Sequence, residues 1–121
     1  MPSSPIVHLE IPAKDFAAAD KFFADAFGWK IDVDERFNYH QFSAEGGPGG
    51  GFIAADGKQG NVGEVVVYLG SDDIDASLKK VNAAGGKTVT PKTEIPGVGW
   101  FAIFTDPTEN KLGLYQDIHP H

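Results

Sequence analysis

The sequence predicts an α+β fold built from two β-α-β-β-β modules, and three observations carry that expectation. Short runs alternate apolar and polar residues with the period of a strand. Two longer runs repeat apolar residues at helical spacing and are bracketed by cap and stop signals. The whole pattern is then stated a second time along the 121 residues.

Each element follows in order. "IVHLEI", residues 6–11, reads as a strand ended by Pro12. "DFAAADKFFADAFG" reads as a helix with Asp15 as its cap and Gly28 as its stop. Phe16, Ala19, Phe23 and Ala26 would form its buried stripe. "WKIDVD", "NYHQFS" and "GGFIAA" follow as three strands. The second set opens on the β-branched run "EVVVYLG" and continues with "SDDIDASLKKVNAAGG", a capped helix with Ile74, Leu78 and Val81 on one face. "KTVTPK", "GWFAIF" and "KLGLYQ" complete it.

A shift of 58 residues superposes the halves. It pairs Asp15 with Asp73, Ala18 with Ala76, Lys21 with Lys79, Ala26 with Ala84 and Gly28 with Gly86. Periodicity alone would align two amphipathic stripes, but it would not also align cap and terminator. Residues 1–121 are therefore expected to form one domain made of a module at 5–57 and a module at 62–117.

Composition narrows the function classes. Ten basic against seventeen acidic residues give a formal net charge of −7, and Lys79–Lys80 is the only adjacent basic pair. Nucleic acid and anionic membrane surfaces are thus not expected partners, because both are held by clustered Lys and Arg. There is no cysteine, which removes disulfides, thiol nucleophiles and thiolate metal sites. The N-terminus lacks a basic and apolar leader pattern, and no apolar run reaches the ~18 residues of a membrane span. A cytoplasmic location is the expectation.

His8 and Glu10 stand two apart in the first strand, so their side chains share a face. Such a pair is chemically suited to three roles: metal ligation, acid–base work, or a satisfied structural pair. The repeat maps His8 onto Val66 and Glu10 onto Tyr68. "EGGPGGG", Glu45 to Gly51, reads as a flexible turn, since it lacks the Gly-Lys-Ser/Thr ending of a phosphate loop. "TDPTENK" reads as a turn between the last two strands, and the closing His119–Pro120–His121 as a frayed tail.

"VHLEIPAKDFAAADKFFADAFGW" and "IPGVGWFAIFTDPTENKLGLYQ" resemble the opening and closing signatures of the glyoxalase/bleomycin-resistance/extradiol-dioxygenase proteins, the vicinal oxygen chelate superfamily. The second stretch is similar to a branch described as related to lactoylglutathione lyase. The resemblance spans about residues 6 to 117. It implies two βαβββ modules curling a mixed eight-stranded sheet into a cup, usually within a homodimer. It also implies where a metal would sit: on the first and last strand of each module. His8 occupies one such position, while Val66 and Gly113 occupy two others, and Gly51 to Ile53 offers no Glu, His or Asp. His8 is the single surviving ligand position, so no tightly held cofactor is expected and a divalent metal would meet an incomplete set.

What the resemblance leaves is a small-molecule site. Tyr68 and Tyr115 share strand parity with Val66 and Gly113, and small or absent side chains flanked by aromatics would make room for a flat ligand, or pack as plain core. Trp100 is a further lining candidate. Of Tyr39 and His40, adjacent on a strand, only one can line that face, and Tyr39 is favoured. The expectation is a metal-independent lyase or isomerase with Glu10 as base and His8 as orienter or acid. The alternative is a sequestering protein akin to the bleomycin-resistance relatives, with acidity steering cationic ligands.

Overall fold

The computed structural model describes residues 3–36 and 38–118. Among them the order of elements is β1 (Ile6–Ala13), α1 (Phe16–Phe27), β2 (Lys30–Asp34), β3 (Tyr39–Ser43), β4 (Gly49–Ala54), β5 (Val66–Gly70), α2 (Ile74–Ala83), β6 (Lys87–Ile95), β7 (Gly99–Thr105) and β8 (Lys111–Asp117). The α+β class and the two βαβββ modules are those that the sequence predicts. Two compact units divide the chain: His8–Val66 forms one, and the chain up to Val7 together with the chain from Val67 onward forms the other.

In the first unit the strands run β2-β3-β4-β1. β1 and β4 are parallel, with Glu10 opposite Gly51, and the other neighbours are antiparallel. β1 continues through Pro12, which lies opposite Ile53, rather than stopping before it. On either side of a parallel strand only alternate residues bond to the neighbour. Ala13 O accepts from Ala55 N at 3.0 Å, so the donor that Pro12 lacks belongs to the other side.

α1 begins where Asp15 accepts from Ala18 N at 3.1 Å and ends at Gly28, whose φ of 71° is the left-handed conformation of a helix stop. None of its residues is buried, and Ala26 lies exposed outside the expected stripe. Its contact with the strands is aromatic. Phe23 stacks on Trp29 at 4.6 Å and on Phe52 at 5.6 Å, and Trp29 stacks on Phe42 at 4.5 Å. Phe42 and Phe52 are 4% and 1% exposed. The rings span the gap that a small-residue stripe would have closed by near approach.

In the second unit the order is β5-β8-β7-β6, with β5 and β8 parallel. Asp73 caps α2 by accepting from Ala76 N at 3.2 Å, the same bond as in α1 shifted by 58 residues. The stop differs from the expected one. Gly85, not Gly86, takes the positive φ, of 99°. Gly86 is needed for a different reason, since a Cβ there would lie 2.6 Å from Thr105 O. Ile74, Leu78, Ala102, Phe104 and Leu114 form the core, with Leu69, Val81, Trp100 and Leu112 packed against it. β6 runs on through Pro91 to Ile95 with two register shifts, tolerated because it ends the strand order of its unit. No helix among the described residues is long and apolar enough to cross a membrane.

Candidate functional site

The first unit's polar group is assembled by strand parity. On β3, Phe42 stacks into the aromatic core and His40 Nδ1 meets Asp20 Oδ2 of α1 at 2.6 Å, so both point to the helix side. Tyr39, adjacent to His40, therefore points to the opposite face. His8 and Glu10 share a face of β1, and β4 lies between β1 and β3. Neighbouring strands are about 4.8 Å apart, so β3 and β1 are separated by roughly twice that. A tyrosine crosses such a gap only if the strand between them presents nothing in its path.

Gly51 supplies the clear path. A Cβ built there would fall 2.0 Å from Cζ and the hydroxyl oxygen of Tyr39. The ring lies over bare backbone, and its hydroxyl reaches β1. There it sits 2.8 Å from His8 Nε2 and donates to Glu10 Oε2 at 3.4 Å. The His8 and Tyr39 rings are nearly parallel, at 22°, with centroids 6.3 Å apart. All three side chains are half-buried.

Electrostatics follows from that placement. Burial holds the His8 imidazole below its ordinary value, favouring the neutral ring. Tyr39 is pushed well above the ordinary phenol range, first by burial and then by the charge and hydrogen bond of Glu10. A proton-bearing phenol thus links a weakly basic imidazole to a carboxylate. The first strand's pair, left open between three roles by the sequence, is joined through a third residue.

The other candidates lie on β5, β7 and β8. Tyr68 lies opposite Gly113 in parallel register, and a Cβ at Gly113 would fall 2.3 Å from its Cδ2 and Cε2. Tyr68 and Val66 are both buried. Tyr115 is two residues beyond Gly113 and donates to Val98 O at 3.3 Å, its phenol pushed up by burial and then by Asp117. Trp100 stands on the α2 side, packed on the core and beneath the Lys92 ammonium at 4.8 Å, whereas Gly113 and Tyr115 alternate to the other face from the core residue Leu114. His119 and His121 lie outside the described residues.

The role of Gly51 was missed by the sequence reading, which put it both at the end of the turn run "EGGPGGG" and in the strand "GGFIAA". The structure puts Gly46 and Gly47 in the turn and Gly49–Gly51 in β4. The available signal was glycine inside a strand, which often marks the close approach of another group.

The metal positions implied by the resemblance can be judged by their chemistry. β1 offers His8, residues 51–53 of β4 offer no Glu, His or Asp, and β5 and β8 offer Val66 and Gly113. Of these positions His8 alone carries a donor, and its Nε2 is engaged with Tyr39. No group of three or more His, Asp or Glu able to hold a metal occurs among the described residues. That donor set does not fit a divalent cation.

The sequence signature of the Glyoxalase/Bleomycin resistance protein/Dioxygenase superfamily matches residues 5–114, and the chain belongs to that superfamily. CFP32 of Mycobacterium tuberculosis, whose name places it provisionally among the glyoxylases, is 29% identical over 114 residues, covering 89% of this chain and 44% of that protein. The anthracycline biosynthesis protein DnrV of Streptomyces peucetius is 27% identical over 129 residues, covering 88% and 45%. The chain thus spans less than half the length of these curated relatives. A superfamily member from Vibrio splendidus 12B01 shares the fold, with a TM-score of 0.67 at 16% identity over 96% of this chain and all of that one.

Proposed function

We propose that this chain binds a small carbonyl-bearing organic molecule against the His8–Tyr39–Glu10 group and moves a proton on it, as an isomerase or lyase without a tightly held metal. Glu10 is the base, taking a proton from the carbon beside the carbonyl and returning it, and His8 orients the reacting group. The observation that carries this reading is the Tyr39 hydroxyl set between His8 Nε2 at 2.8 Å and Glu10 Oε2 at 3.4 Å. Positioned acid–base groups of this kind are worth about 10²–10⁴-fold in rate. Membership of a superfamily whose description includes glyoxalases supports small-molecule chemistry. The reading includes a cytoplasmic homodimer.

A sequestering function without turnover is the second reading, and the net charge of −7 favours it for cationic ligands. One experiment separates the two. Small carbonyl and aromatic compounds are screened by thermal shift, since any ligand of the native state raises the midpoint. Hits are then incubated with protein in D2O and followed by proton NMR. Loss of the signal beside the carbonyl is expected with the wild type, slowed about 100-fold or more in Glu10→Gln. A hit that binds and never exchanges would establish sequestration. Stoichiometric metal retained through His8 after dialysis would overturn the metal-free chemistry.

A further inference from the structure

The Tyr39 ring is held by two relations. Beneath it, Gly51 leaves open the path from β3 across β4 to β1. At its tip, one hydroxyl meets two groups of opposite character, an imidazole at 2.8 Å and a carboxylate at 3.4 Å. A hydroxyl has one proton to give. Given to the carboxylate, it leaves the phenol oxygen to accept from His8 Nε2–H, so the bonds run in one direction, from His8 through Tyr39 to Glu10.

We propose that Tyr39 is the positioning residue of this site, its hydroxyl supporting the Glu10 carboxylate and orienting His8, and that Gly51 is retained as the seat of its ring. The inference rests on the reading of Glu10 as the working base, and adds how that base is held. Gly51 acts on Glu10 only through Tyr39. Tyr39 sets the strength of the base, because a donor to a carboxylate favours its ionised form. The ring also keeps the carboxylate turned toward His8, and a side chain at residue 51 would lift the ring away.

The test needs no ligand. Glu10 is followed by carbon NMR of the full chain carrying 13C-labelled glutamate, and assigned by the signal lost in Glu10→Gln. Tyr39→Phe is expected to weaken Glu10 as an acid about fivefold, the effect of one lost hydrogen bond. Gly51→Ala is expected to do the same in the wild type and to add nothing in the Tyr39→Phe background. An unmoved Glu10 midpoint in Tyr39→Phe overturns the proposal. So does a Gly51→Ala effect of equal size in both backgrounds. Where Gly51→Ala fails to fold, the Tyr39→Phe midpoint alone decides. These readings are independent of deuterium exchange, so a failure of the proposed chemistry is seen separately.

Discussion

The two modules solve the same packing problem and arrive at different chemistry. In each, the last strand of the module carries a glycine opposite the first strand, Gly51 facing Glu10 and Gly113 facing Tyr68. In each, a tyrosine ring occupies the space that a side chain on that glycine would need. In the first module the ring comes from β3 and brings its hydroxyl to a histidine and a carboxylate. In the second it comes from the first strand of the module itself, and the residue two before it is the buried Val66. Both modules thus set a tyrosine ring over a glycine, but the ring reaches it from a different strand in each.

The largest test of this comparison is the claim that the two cores are equivalent supports. Phe52, 1% exposed, closes the aromatic stack of the first module, and Ile74, fully buried, is the centre of the second. Phe52→Ala is expected to cost about 3–5 kcal/mol and Ile74→Ala about 2–5 kcal/mol. Urea unfolding reads both. A loss of under about 1 kcal/mol at either residue would show that one module contributes little of the stability, and the symmetry would fail.

The caps and the helix face of the second core were legible in the sequence because period and capping are local signals. Asp15 and Asp73 stand at the caps, and Ile74, Leu78 and Val81 pack on one face, as their spacing requires. The pairing of His8 with Glu10 on one face was legible for the same reason. Their link through Tyr39 was not, because it depends on the order β3-β4-β1 and on a register that places Gly51 between them. Ala26 was misplaced for a related reason: a helix that packs through large rings needs fewer positions than a stripe of small residues supplies. Gly86 aligned with Gly28 in the repeat, yet the left-handed residue is Gly85, so identity of residue did not mean identity of backbone role.

A mid-sized effect separates the two glycines. A Cβ at Gly51 meets the far end of the half-buried Tyr39, which can swing aside. A Cβ at Gly113 meets Cγ, Cδ2 and Cε2 of Tyr68, close to its own backbone and buried, so relief requires strand movement. Overpacking costs about 1–3 kcal/mol, and Gly113→Ala is expected near the top of that range with Gly51→Ala near the bottom. Denaturation midpoints measure the difference. The reverse order would mean that Tyr39 is the more rigidly held ring, and that its module is the stiffer of the two.

The smallest effect lies in the pH dependence, and it marks the polar module. Burial lowers the folded His8 value below the 6.5 of the unfolded chain. As pH falls through 6.5 the unfolded state takes up the proton first, so stability declines from there down to the folded value and is level beyond it. Tyr39 is raised above the ordinary phenol value of 10.0, so the unfolded chain releases its proton first and stability declines above pH 10. In the second module Tyr115 is raised as well and adds to the alkaline decline, but the position paired with His8 is Val66, which cannot titrate. His8→Asn is therefore expected to flatten the acid limb alone, Tyr39→Phe and Tyr115→Phe to flatten the alkaline limb. Unfolding free energy measured from pH 5 to 11 tests each. An acid limb unchanged in His8→Asn would place its origin in other groups. The polar module would then carry no acid signature of its own.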